Sequence, residues 1–324
     1  MLATIAGGAL AAVLAAAPQT DTTFTVQPNA RLEVRNTGGD ITVRTWDRNA
    51  VRIEAEHSSR TEVDVENTGA VVRVQARSRY GPANIVDYRI TVPASMSLDL
   101  SGMHAEIDVQ GVQGEVSAQS VQGDVTVRGG RGNVNVRTVQ GEVLVEGAQG
   151  QVRGGSTSGD VRVVGSTGEI YAETVSGAIY LERITSGRVE AGTVSGDVYY
   201  DGTVQPRGRY SFVTHSGDVV ASIPDGADAA VSVATLSGDV EASFALPARD
   251  GDRGRRFSYV LGSGSAKVEL ETFSGDVHLR RPGEVSAQLT AARARQEERD
   301  RARRQARQER ERARPAPAPR PTTP

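Results

Sequence analysis

The sequence predicts an all-β chain: a two-sheet parallel β-solenoid of about 18–21 residues per coil, with an N-terminal antiparallel β cap and a C-terminal charged helix. Three observations carry that prediction. Glycines recur at 114, 123, 132, 141, 150, 159, 168 and 177, nine residues apart, and again at 187 and 196. Apolar residues follow them at two and four places, as in Val125/Val127, Val134/Val136, Val143/Val145, Val161/Val163 and Ile179/Leu181. Aromatics are only 4% of the chain against 36 glycines, so the core must come from narrow packing of Val, Ile and Ala.

Residues 1–20 read as a signal peptide. The stretch 2–17, LATIAGGALAAVLAAA, is uncharged, and it is too short and too weakly hydrophobic for a membrane span. Export to the periplasm or the cell surface follows as an expectation. The chain has no cysteine, which removes disulfides, thiolate metal sites and thiol nucleophiles together.

Residues 21–100 alternate polar and apolar in the runs FTVQ, RLEVRN, DITVRTW, AVRIEAEH, AVVRVQAR and DYRITVP, with Asn/Asp/Gly turns between them. This region lacks the nine-residue beat, so we read it as an antiparallel cap over the open edge of the first coil, with Trp46 packed inside it.

The repeats occupy residues 101–282. Nine residues cannot run out along one strand and return, so the smallest closed circuit is two units, or 18 residues. The residues after the turn agree. Alternate units give Glu106, Asp124, Glu142, Asp160, Ala178 and Asp197, while the intervening units give Glu115, Asn133, Gln151, Glu169 and Arg188. One series is acidic and the other mixed, as expected for strands on different sheets. Gly114, Gly123, Gly132, Gly141, Gly159, Gly196, Gly217, Gly238 and Gly275 are read as structural turn positions that need a left-handed backbone. Gly196, Gly217 and Gly238 are 21 residues apart and Gly275 follows after 37, which predicts longer loops and two final coils.

The acidic series Glu106, Asp124, Glu142, Asp160, Asp197, Asp218 and Asp239 is the candidate ligand or cation ladder. Coils rise about 4.8 Å, at which two carboxylates repel by about 1 kcal/mol in water and about 3.5 kcal/mol at an effective dielectric of 20. They must be solvated, hydrogen-bonded or bridged. Turn chemistry, in which each Asp accepts a backbone amide or a Ser/Thr hydroxyl, is the favoured reading. Calcium-binding RTX nonapeptides place Asp two residues after glycine, whereas Asp124, Asp160 and Asp197 follow it directly. Tyr171, Tyr180 and Tyr199 form a candidate surface aromatic patch. His57, His104, His215 and His278 show no metal-ligand spacing, and no catalytic triad, P-loop or dinucleotide motif is present. No catalytic residue, metal or cofactor is therefore expected.

Residues 283–314 are read as an Arg-rich helical tail and 315–324, ending PAPAPRPTTP, as a Pro-rich extended end. From 280 to 324 thirteen Arg face six acidic residues, a charge of +7, so the −3 of the whole chain leaves −10 for the body. Acidic residues interrupt the Arg run and aromatics are absent, so no nucleic acid is expected, and contact with an anionic membrane or polymer is the favoured partner of the tail.

The phrases TVSGDVYY (193–200), THSGDVVA (214–221), TLSGDVEA (235–242) and TFSGDVHL (272–279), with NTGGDITVRTWDRNAVRIEAE (36–56), resemble the bacterial β-strand-repeat family of adhesin-like proteins of unknown function. The resemblance covers roughly 24–281. It implies an exported envelope protein and a fold more than an activity. The expected function is a non-enzymatic envelope scaffold or adhesin-like binding module for an envelope protein or glycan. The alternatives are a carbohydrate-active β-helix enzyme and a membrane-linked envelope-stress regulatory module.

Overall fold

The computed structural model describes residues 19–78, 81, 85–224, 226–245 and 256–290. The apolar stretch 2–17, the Arg-rich segment 291–314, the Pro-rich end 315–324 and the segment around Pro247 lie outside the described residues. Among the described residues the chain is all-β, a long strand-rich solenoid with one short C-terminal helix.

The first third supplies β1 (Gln19–Thr25), β2 (Arg31–Gly38), β3 (Ile41–Trp46), β4 (Ala50–His57), β5 (Thr61–Asn67), β6 (Val71–Ser78), β7 (Val86–Pro93), β8 (Ser97–His104) and β9 (Ile107–Val112). The middle supplies β10 (Val116–Gln122), β11 (Val125–Gly129), β12 (Arg131–Gln140), β13 (Val143–Glu146), β14 (Gln149–Ser158), β15 (Val161–Val164), β16 (Thr167–Ser176) and the long β17 (Ile179–Ser195). Then come β18 (Val198–Gly202), β19 (Arg209–Ser216), β20 (Val219–Ser222), β21 (Ala229–Ser237), β22 (Val240–Ala242), β23 (Arg256–Leu261), β24 (Ala266–Ser274) and β25 (Val277–Arg280). Residues 284–290 are helical and are called α1.

Register follows the repeat. Val116 pairs with Val134, Val134 with Val152 and Val152 with Ile170, while Val125 pairs with Val143, Val143 with Val161 and Val161 with Ile179, all in parallel. Each step is 18 residues, so two nine-residue units make one coil. The later steps lengthen, from Ile179 to Val198 and from Val198 to Val219. Ladder A runs β1-β4-β7-β3-β9-β11-β13-β15-β17-β18-β20-β25-β22. Ladder B runs β5-β6-β2-β8-β10-β12-β14-β16-β17-β19-β24-β21-β23. β17 belongs to both, because the chain turns without a break at Arg183, whose φ is 53°.

The inward rows are completely buried: Val125, Val127, Val134, Val136, Val143, Val145, Val161 and Val163 are at most 1% exposed. They form one continuous apolar cluster that runs the length of the stack. The core is thin at Gly154, where an added Cβ would lie 3.0 Å from Val161 Cγ1, and thick where Tyr200 meets Tyr210 and Phe212 at 5.8 and 4.8 Å between ring centroids.

Both ends depart from chain order. The coil β2–β3 is inserted between β6–β7 and β8–β9. At the other end β24–β25 lies between β19–β20 and β21–β22. The antiparallel cap expected across 21–100 is therefore narrower: β2 and β3 pair in parallel with the stack, and antiparallel pairing is confined to β1–β4, β4–β7 and β5–β6. Edge strands carry unpaired backbone groups that invite association; among the described residues short antiparallel returns extend both ladders at the N-terminal end and ladder B through β23 at the far end, where β22 is the edge strand of ladder A. Trp46 sits in this cap, half-buried, and its Nε1–H donates to Ala50 O at 2.7 Å.

The insertion predicts an inverted exchange pattern. By hydrogen–deuterium exchange with mass spectrometry, Val277–Arg280 should be more protected than Val240–Ala242, although β25 is the last strand of the chain. Equal or reversed protection would contradict the inserted order.

Candidate functional site

The T-x-S-G-D phrase forms the corner at which each coil passes from ladder B to ladder A. Its threonine or serine points inward: Thr138, Ser156, Thr174, Thr193 and Thr214 are all buried. Their hydroxyls donate to glycine carbonyls of the preceding coil, Thr138 to Gly123, Ser156 to Gly141, Thr174 to Gly159, Thr193 to Gly177 and Thr214 to Gly196, at 2.9–3.0 Å. Each hydroxyl thereby satisfies a carbonyl that the corner would otherwise leave bare.

The glycine is dictated by the same contact. At Gly159, φ is 150°, and a Cβ would stand 2.0 Å from Gly141 O. Eight of the nine turn glycines named from the sequence have positive φ. Gly114 differs: it needs no left-handed backbone, and it is required because a Cβ would lie 2.3 Å from Met96 O.

The aspartate completes the corner. Asp124 Oδ1 accepts the Glu142 N–H, Asp160 accepts that of Ala178, Asp197 that of Asp218, Asp218 that of Asp276 and Asp276 that of Asp239, at 2.8–2.9 Å. Glu106, Asp124, Glu142, Asp160, Asp197, Asp218 and Asp239 thus lie in one row along ladder A, interrupted by Ala178. Three further members join the row in the fold. Asp276 sits between Asp218 and Asp239, Asp40 stands beside Glu106, and Asp87 accepts the Asp40 N–H at 2.9 Å. Among the described residues no three His, Cys, Asp or Glu side chains converge as a metal centre.

The three tyrosines do not share a surface. Tyr171 lies on the outer face of ladder B, with Arg153 and Arg188 over its ring at 5.3 and 5.8 Å, and its hydroxyl donates to Glu169 at 3.0 Å. Tyr180 and Tyr199 lie on ladder A, stacked at 5.3 Å with 8° between planes. α1 sets Val285 and Leu289 against them and Val220. Tyr180 is consequently only 8% exposed, and burial pushes its phenol up to about 12.

The outer face of ladder B carries a feature that the sequence reading missed. The x of T-x-S-G points outward, and in register order that row reads Met103, Val121, Val139, Thr157, Val175, Val194, His215, Phe273 and Leu236. Its large apolar members are 43–52% exposed, and His215 and Phe273 stack at 4.7 Å. Beside this ridge runs a groove of about 1130 Å³. Gly155 and Gly192 leave its floor open, and Arg137 reaches over Gly155 to pair with Glu173 at 3.4 Å. The recurring apolar residue two places before each glycine was the available signal.

The profile of the Toastrack DUF4097 family, a domain of unknown function, matches residues 29–280. The chain belongs to the Toastrack DUF4097 family. The match begins just before β2 and ends with β25, so α1 lies beyond the Toastrack DUF4097 region. No curated protein matches the chain. Among solved structures, a putative adhesin from Bacteroides fragilis is 13% identical, with 82% of this chain and 97% of that one covered and a TM-score of 0.42. A putative adhesin from Parabacteroides distasonis is 9% identical, with 81% and 97% covered and a TM-score of 0.39. Scores this low add nothing to the family assignment.

The corner chemistry predicts two unequal losses. Thr174→Val should cost about 1–3 kcal/mol, because it strands the Gly159 carbonyl without changing side-chain shape. Gly159→Ala should cost more, adding a steric overlap to about 1–3 kcal/mol of backbone strain. Urea unfolding measures both. A neutral Thr174→Val would show that the hydroxyl row does not support the stack.

Proposed function

We propose that this chain is a non-enzymatic, exported scaffold whose ladder B face is an adhesin-like binding surface for a protein of the cell envelope. In this reading it is a two-sheet parallel solenoid. The antiparallel returns within 21–100 serve as its cap, β2 and β3 join the body of 101–282, and 283–314 serve as a charged tail. The observation that carries the reading is the apolar ridge from Met103 to Leu236. Nine rungs at the strand spacing extend over about 38 Å, and contiguous exposed apolar surface on that scale marks interaction sites.

The choice of a protein partner follows from the side chains. The ridge is dominated by aliphatic groups, which bury well against another apolar face; of the rings on this side, Tyr171 already carries two guanidinium groups and Phe273 is stacked on His215. A glycan would want a free aromatic platform. Export rests on the apolar stretch 2–17. The corner carboxylates are engaged with backbone amides, which gives them a role in the stack and supports a reading without catalysis.

The test is a Val175→Asp/Val194→Asp variant of the full chain. Retention of an envelope protein, read by photo-crosslinking from ladder B positions, should fall at least tenfold while the thermal midpoint stays within a few degrees. Reducing-sugar release from any glycan, or undiminished crosslinking, would overturn the proposal.

A further inference from the structure

We infer that the partner of the ladder B face is a second copy of this chain, laid against the first with the direction of the stack reversed. This rests on the reading of ladder B as a binding surface, and it names the protein that the surface takes.

Charge on the face is polarised along the stack. Beside the ridge, one outward row runs Asn135, Arg153, Tyr171 and Glu190, and the next runs Arg137, Gly155, Glu173 and Gly192. The cations of these rungs stand on β12 and β14, and the carboxylates on β16 and β17. β24 adds Glu269 and Glu271 on the acidic side. Within one copy Arg137 lies 3.4 Å from Glu173 and Arg188 lies 2.8 Å from Glu190, yet each of these four side chains is at least 44% exposed. Pairs so exposed hold weakly and leave their charge open to a second copy.

A two-fold axis parallel to the strands, passing between β14 and β16, matches these halves. It reverses the stack and keeps each position along the strand, so β14 faces β16 of the second copy, β12 faces β17 and β10 faces β19. The Arg137 side chain passes over Gly155 on β14. It therefore comes against Glu173 of the second copy, and two arginines and two glutamates close a ring of alternating charge around the axis. Gly192 leaves room beside that ring on β17. Arg153 meets the ring of Tyr171, and Glu115 meets Arg209. Asp99 opposite Glu269, toward the outer rungs, is a like-charged pair of this arrangement. A two-fold running along the stack would keep every rung opposite itself and bring like charge to like throughout.

The same rotation lays ridge on ridge. Val139 comes opposite Val194, Val121 opposite His215 and Met103 opposite Phe273, and the aliphatic members of these pairs are 43–52% exposed in one copy. The strip is about 38 Å long, and about 13 Å wide from the Tyr171 row to the Val175 row, or about 500 Å² on each copy. The two copies together bury about 1,000 Å², which reaches the size a specific interface needs.

The absence of cysteine makes the register testable in the full chain. Val139→Cys and Val194→Cys chains, mixed and treated with a short bis-maleimide, should couple to each other at least tenfold faster than either couples to itself, because each residue lies about 14 Å along the stack from its own counterpart. Sedimentation velocity supplies a second readout. The native chain should dimerise, and Arg137→Glu/Arg153→Glu and Glu173→Arg/Glu190→Arg should each associate at least about tenfold more weakly. An equimolar mixture of the two variants should regain native association, since an acidic face then meets a basic one. Misfolded variants would not recover on mixing, and the bis-maleimide test carries the inference without them. Preferential coupling of Val139→Cys to itself, or a dimer indifferent to both charge variants, would overturn it. So would a native chain that stays monomeric at every concentration. In that case photo-crosslinks from ladder B to a different envelope protein would leave the binding surface standing, and their absence would remove both readings.

Discussion

The solenoid depends on how closely its coils approach at one corner. There the carbonyl of one glycine lies against the α-carbon of the next, close enough that no side chain fits, as at Gly141 and Gly159. That approach leaves a carbonyl and an amide to satisfy on every rung. The inward hydroxyl of Thr174 or Ser156 takes the carbonyl, and the carboxylate of Asp124 or Asp160 takes the amide. Glycine, threonine and aspartate solve one packing problem together, which is why they recur as a phrase.

The corner also separates two surfaces. Residues before the glycine face outward from ladder B and form the Val121–Leu236 ridge, whereas residues after it form the acidic row of ladder A. A 4.8 Å repeat multiplies whatever occupies each place, so one residue per coil becomes a stripe along the molecule. α1 covers part of ladder A through Val285 and Leu289, and the ridge on ladder B retains its exposure. The two faces are thereby given different fates by the same short repeat.

Much of this was legible in the sequence. The 18-residue coil, the inward valines and the turn glycines follow from local period, because each unit meets mainly its neighbours in the chain. The inserted order of β2–β3 and β24–β25 was not legible, since the 37 residues from Gly238 to Gly275 count the length of a connection without saying which coil it passes. The tyrosines illustrate another limit. Tyr171 and Tyr180 are nine residues apart and look equivalent in the repeat, yet one unit puts them on different ladders, and the helix covering Tyr180 comes from more than a hundred residues away. Asp160 was read as turn chemistry, whereas the amide it accepts belongs to Ala178, 18 residues on in the following coil. The ridge was overlooked because the outward positions of the strand were weighed and the outward position of the turn phrase was not.

The central claim is that the corner is held by a bonded ladder of carboxylate and amide rather than by burial alone. Residue-resolved amide exchange at Ala178 tests it most directly. The Ala178 N–H, half-exposed at the edge but bonded to Asp160 Oδ1 at 2.8 Å, should exchange slowly in the native chain. It should exchange on the order of a hundredfold faster in Asp160→Ala, with amides of the inward valines unchanged. Rapid exchange at Ala178 in the native chain, or no change on removing the Asp160 carboxylate, would contradict the account.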